Sequence, residues 1–161
     1  MVRYVPEGTM EVYYVAAVSV PAAPTSTELN LGVDLTAFAV GDLDMPFEGS
    51  TAEAADLSSR FNKTAPGDYG GQAGSSTWHK DSVLGNDTAW TTLPRDTVGF
   101  LAVAVRGLAT PGTWAIADTV DLWPIQVLSR ALAGQARNTT TRFVTQMAIT
   151  DEPTEDFALI A

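Results

Sequence analysis

Cysteine is absent from all 161 residues, which excludes disulfides and thiolate-held metal sites and leaves the redox compartment unmarked. Charge is scarce too. Only 17% of residues are Asp, Glu, Lys or Arg, against about 25% in ordinary soluble domains. Bases are the scarcer sign: nine Lys and Arg face 19 Asp and Glu, for a net charge of −10. Tight binding to nucleic acid depends on basic side chains that displace counterions from phosphate, so this balance argues against it. No stretch approaches the ~18 apolar residues of a membrane span. The apolar run at 12–20 is too short for a signal peptide and lacks a cleavage context, so neither a membrane anchor nor secretion is expected. Yet 45% of residues are hydrophobic. A surface so thinly charged implies that part of it is covered in the working state.

What the chain does have is alternation. Over 139–150, Thr141, Phe143, Met147 and Ile149 fall on one face, and Thr140, Arg142, Gln146 and Thr150 on the other. Strand residues point alternately to opposite sides, so this reads as a long half-buried strand with the Phe143 face in the core. It stops at Asp151-Glu152-Pro153, since proline cannot donate to a ladder. Met10, Val12, Tyr14, Ala16, Val18 and Val20 mark a first strand ended by Pro21, with a helical turn possible at Thr27-Glu28-Leu29. A second apolar strand is expected at 35–40, an irregular stretch at 45–55, and an extended piece at 56–61 running into a turn at Ala65-Pro66-Gly67. Residues 66–76 hold four glycines and predict a long mobile Gly-rich loop. Strand character returns at 76–80, and one short helix is expected near 86–93, capped by Asn86 or Asp87 and stopped by Pro94. The apolar run at 97–105 predicts a strand buried on both faces. Pro124 within the alternating 121–131 predicts an edge position or a bulge. At this length one domain spanning 1–161 is expected, mainly β, an antiparallel sandwich or barrel rather than a parallel βαβ fold. The C-terminal extension, 151–161, reads equally as an edge strand on its own sheet or as a bridge to a neighbour through Phe157, Leu159 and Ile160.

Site chemistry is sparse. His79 is the single histidine, in Trp78-His79-Lys80-Asp81, where Asp81 could orient it as a general base; a strand-end histidine beside a carboxylate is the weightier reading by about nine to one. Asp42 with Asp44, and Asp118 with Asp121, miss the spacing of a calcium loop and read as turn acids. Glycines 67–74 lack the Gly-Lys-Ser/Thr ending of a phosphate loop. The Asn-x-Thr triplets at Asn62, Asn86 and Asn138 read as chance matches. Trp123 alternates with the core set. No catalytic, cofactor-binding or metal residue is therefore nominated, and an enzyme is not expected.

Several pieces, in order, carry a resemblance: Asp56 to Phe61, the Ala65-Pro66-Gly67 turn, Trp78-His79-Lys80-Asp81, Thr92 to Phe100, Val120 to Val127, and Val144 to Ile149 with Asp151-Glu152-Pro153. Together, over roughly residues 9–160, they resemble the major tail proteins, or tail tube proteins, of long-tailed (siphovirus-like) actinobacteriophages. The resemblance implies a small β-sandwich with one helix, hexameric rings whose pooled strands close an inner barrel, and head-to-tail stacking into a hollow tube. It implies partners such as tape measure, terminator and tail tip proteins. Double-stranded DNA would pass the lumen without specific binding, in a virion tail assembled in the host cytoplasm. Six copies at −10 total −60, so acids on alternating strands are expected to line the lumen and repel phosphate. Two other classes stand beside this: a carbohydrate-binding or adhesive β-sandwich of a tail tip, and another tail or head-completion structural protein.

Overall fold

The computed structural model describes residues 8–53, 64–71, 73–134 and 137–160, and within them ten strands and two short helices. Strands β1 (Glu11–Val15), β2 (Val33–Asp34), β3 (Ala39–Asp44), β6 (Gly74–His79), β7 (Val98–Ala104), β8 (Thr119–Leu132) and β9 (Arg142–Ile149) form one sheet in the order β2-β1-β7-β8-β9-β6-β3. Strand β10 (Thr154–Ala158) pairs with β8 off this path, while β4 (Phe47–Glu53) and β5 (Thr64–Gly71) pair only with each other. Every strand ladder is antiparallel. The mainly-β, antiparallel expectation holds.

Alternation builds two cores, one on each side of the sheet. The first gathers Val12 and Tyr14 of β1, Leu101 and Val103 of β7, Ile125 and Val127 of β8, Phe143 and Met147 of β9, and Trp78 of β6. Helix α2 (Thr88–Thr92) closes it with Ala89 and the following Leu93. The second collects Tyr13, Val15, Ala102, Ala104, Val120 and Leu122 under Leu29 of helix α1 (Ser26–Asn30), Trp114 and Leu159. Strand β7 feeds both cores, as its unbroken apolar run predicts, and the Phe143/Met147 face of β9 is buried as expected.

Strand β8 is central where Pro124 predicts an edge or a bulge, and the reason is local. An extended residue aims its N–H and C=O at the same edge. Thr150 N donates to the Pro124 carbonyl, so the hydrogen-less proline nitrogen also faces that edge. There β9 has just ended, at Ile125↔Ile149, and β10 begins only at Leu122↔Thr154. The missing donor falls in the gap between two collinear strands. The bulge comes three residues later, between Val127 and Ser129.

Other boundaries differ from the sequence reading. The first strand ends at Val15, and residues 35–40 divide between a 3-10 turn (Thr36–Phe38) and the start of β3. The 45–55 stretch contains strand β4. Helix α2 lies within 86–93 as expected, but the Asp87 side chain makes no capping bond; α1 is a second short helix, with a capping box between Thr25 and Glu28. The extended piece at 56–61 lies outside the described residues.

The long Gly-rich loop expected at 66–76 is instead the end of β5 and the start of β6, and Ala65-Pro66-Gly67 is no turn, since Pro66 pairs with Thr51 and Ala65 with Ala52. Two of these glycines serve close approach. A Cβ on Gly71 would sit 2.5 Å from Ile149 Cβ, and one on Gly74 would sit 2.0 Å from the Asp44 carbonyl oxygen. Composition alone does not separate a glycine that frees the chain from one that lets two backbones touch. The C-terminal segment docks on its own subunit: β10 pairs with β8, Leu159 N donates to Asp118 O, and the Leu159 side chain is buried.

Candidate assembly surface

The second core covers β1, β7 and the first part of β8, and stops there. Beyond it, β8, β9, β6 and β3 continue as four strands with one buried face and one open face. Registers give the open face as rungs. Ser129, Gln146, Ser75 and Asp44 make one rung; Ala131, Val144 and Thr77 the next; Arg142 and His79 the last. On the far side of the first, Gln126 lies opposite Ala148. These side chains are exposed or half-buried. The acids expected from alternating strands are absent from this face of β6, β8 and β9; Asp44, on β3, is its carboxylate among the described side chains.

Two edges bound the four strands. Strand β3 pairs only with β6. Strand β8 runs past its neighbour β7, whose register ends at Val98↔Gln126 and whose approach adds two bonds between Val127 and residues 96–97. Residues 128–132 then have β9 on one side and no described strand on the other. This overhang exposes Leu128 (41%) and Leu132 (58%). An unpaired, partly apolar strand edge is a template for another chain.

The overhang is fastened from below. Trp90 of α2 stands edge-on to Phe143 of β9, with ring centroids 5.1 Å apart at 87°. From the β8 side the Arg130 guanidinium lies over the indole, 3.8 Å from its centroid, and Nη1 donates to the Trp90 carbonyl. From the β6 side Lys80 Nζ sits 4.0 Å from the centroid and pairs with the buried Asp87 carboxylate.

None of the other sequence candidates gathers into chemistry. His79 Nδ1 is 3.1 Å from the Thr140 hydroxyl, and Asp81 accepts from Val83 N rather than orienting the ring. The Asp118 carboxylate takes the amides of Ala109 and Ala115, while Asp121 takes that of Asp156, so both acids organise loops. Asp42 and Asp44 lie on β3. A cleft of about 760 Å³ opens beside the start of β1, lined by Met10, Glu11, Asp34, Thr36, Arg106 and Leu108 among others. There the Glu11 carboxylate is engaged by Tyr13 and by the Gly112 amide. Burial, with Asp34 and Glu11 nearby, holds the Tyr13 phenol far above its ordinary range, so it stays protonated.

A surface built of open strand edges suits a subunit that joins other chains. The family model of the phage tail tube protein matches residues 1–161. The chain belongs to the phage tail tube protein family. Among solved structures, this tail tube chain is similar to a chain from the tail of an empty GTA particle, computed with helical refinement and C6 symmetry. The similarity is 14% in sequence with a TM-score of 0.53, over 78% of this chain and 88% of that one. A search of curated proteins returned no match. The edges were missed by sequence reasoning because an overhang is a property of register. Its only trace is that the alternation at 121–131 outlasts the apolar run at 97–105.

Proposed function

We propose that this chain is a non-enzymatic virion subunit that closes into hexameric rings and stacks into the tail tube through which double-stranded DNA leaves the particle. One observation carries the reading: the β8-β9-β6-β3 quartet has an open polar face and two edges running in opposite directions. Four alternating strands must end that way. Rotating a copy about an axis beside the sheet sets β3 against the next β8 overhang as an antiparallel pair, and closing the ring removes both edges.

Six copies supply 24 strands. At ~4.8 Å spacing and ~40° tilt they enclose a barrel about 45 Å across between backbones. Inward side chains leave room for a ~20 Å duplex. With the open face inward, the wall is mostly hydroxyl, amide and small apolar groups, so the duplex meets few fixed charges of either sign. Most of the −60 of the ring then lies away from the DNA path. The β4–β5 hairpin, a two-stranded ribbon of the kind only marginally stable by itself, supplies contact between stacked rings. Tape measure, terminator and tail tip proteins are the partners along and at the ends of such a tube. Assembly precedes incorporation into the particle, in the host cytoplasm.

The cysteine-free background makes the test direct. Leu132→Cys and Ala39→Cys, which lie on the same side of the sheet along the rung Leu132, Phe143, Trp78 and Ala39, are combined in one chain, polymerised and oxidised. Covalent ladders ending at six copies, from tubes hollow by negative-stain microscopy, are the expected result. Glycan binding by a chain that remains monomeric at high concentration would refute the tube reading in favour of an adhesive module.

A further inference from the structure

The overhang of β8 is a poor strand by its own resources. It has lost β7 on one side, it follows a bulge, and Leu128 and Leu132 are exposed. Such an edge frays unless something holds it. After the bulge, Arg130 and Leu132 point to the buried side, opposite Thr145 and Phe143. Arg130 is thus the overhang residue placed to reach α2, and it does so twice, by stacking on the Trp90 ring and by donating to the Trp90 carbonyl.

Trp90 is itself fixed on three sides: by Phe143 beneath it, by Lys80 from β6, and by the α2 backbone. Lys80 is fixed in turn by Asp87, which is 1% exposed and lies at the start of α2. The order of fixing runs from the buried acid outward to the free edge. Placed last, Arg130 has both its ring stack and its hydrogen bond on Trp90, which belongs neither to the second core nor to β7.

We propose that Arg130 is a positioning residue for subunit joining. Its grip on Trp90 holds residues 128–132 extended and in register, so that the edge offered to a second copy of this chain is already ordered. The proposal rests on the assembly reading above. Lysine keeps the cation but loses the planar stack and the fork that donates to the carbonyl, so Arg130→Lys should recover only part of the effect. An edge ordered before docking avoids the entropy of ordering it on contact, and the expected gain is therefore in assembly rather than in overall stability.

The test uses the full chain with Arg130→Met and Arg130→Lys. In the methionine variant, amide exchange protection of Ala131 and Ala133, whose N–H groups face β9, should fall about tenfold while 120–126 keeps its wild-type protection, and the critical concentration for polymerisation should rise by about the same factor. The lysine variant should fall between, and it carries the test by itself if the methionine variant does not fold. Unchanged exchange at Ala131 and Ala133 would overturn the proposal, as would a loss of protection spread evenly over the sheet, which is the mark of a merely structural residue. A wild-type chain that never polymerises would count against the tube reading instead, and the exchange experiment would still decide the role of Arg130.

Discussion

Among the described residues, Asp87 is the most deeply buried acid, and charge accounting makes it hard to replace. Two cations sit on the Trp90 ring at 3.8 and 4.0 Å from its centroid, so they lie no more than roughly 8 Å apart. At an effective dielectric of ~20, two like charges at that distance repel by about 2 kcal/mol. The Asp87 carboxylate, 1% exposed, offsets this by pairing with Lys80, which is itself only 23% exposed. In Asp87→Asn the Lys80 charge stays mostly desolvated, with the Arg130 cation on the same ring. Breaking one side of a buried pair costs about 3–5 kcal/mol, and partial exposure of Lys80 puts the expectation near ~3 kcal/mol. For a chain of this size that is about 6–12 °C in Tm. Lys80→Met strands the carboxylate instead and should cost a similar amount. Lys80→Met/Asp87→Asn removes both charges and should lose far less than the two singles combined, with a coupling energy of at least ~2 kcal/mol. Urea denaturation of the monomer at low protein concentration measures all four corners of the cycle. Singles that add to within ~0.5 kcal/mol would show that the pair is not coupled and that the argument from the two cations is wrong.

Three further outcomes are expected. Hydrogen bonds from Ser19, its side chain first and then its amide, and from the Thr25 amide and hydroxyl pull the pKa of the Glu28 carboxylate from 4.5 down to about 2. A folded pKa below the unfolded one stabilises fully above pH ~4.5 and loses that contribution as pH falls towards 2, so a Glu28→Gln chain should differ from wild type in thermal melts at pH 6 and converge with it near pH 2. Leu159→Ala should cost about 2–5 kcal/mol because that side chain is 2% exposed in the second core, while Ile160→Ala, half exposed, should stay within ~0.5 kcal/mol; equal effects would argue that the tail does not close its own core. Gly74→Ala places a Cβ against the Asp44 carbonyl, a backbone atom that cannot swing aside. Exchange protection of 39–44 should therefore collapse while β1 and β7 keep theirs.

How much of this was legible beforehand depended on whether neighbours in sequence were also neighbours in space. The Phe143/Met147 face, the doubly buried β7 and the helix at 88–92 follow from side-chain periodicity and a local stop signal, and each stands where the residues put it. Pro124 predicts an edge or a bulge, yet its consequence depends on where β9 ends relative to β10, which is a long-range fact. The glycines of 66–76 misled for the same reason, because the atoms crowding Gly71 and Gly74 belong to Ile149 and Asp44. The net charge gave no hint that the open face would be nearly free of carboxylates. A −10 total says nothing about which strand phase the acids occupy. The clamp on Trp90 joins residues 80, 87, 90, 130 and 143, and no spacing in the chain announces it.

The way β8 is shared also has a mechanical consequence. Its first part belongs to the two-core body and its last part to the open quartet, so one continuous backbone joins the two. Tension along that strand is carried by peptide bonds, and by ladders that must slip in register together before any can part. Tension across it has only the α2 clamp and the ladders at the crossover to resist it, one bond at a time. A tube of such subunits should therefore be stiff to pulling along the β8 direction and more yielding to forces that peel quartet from body. Where the subunit gives first is set by the length of one strand.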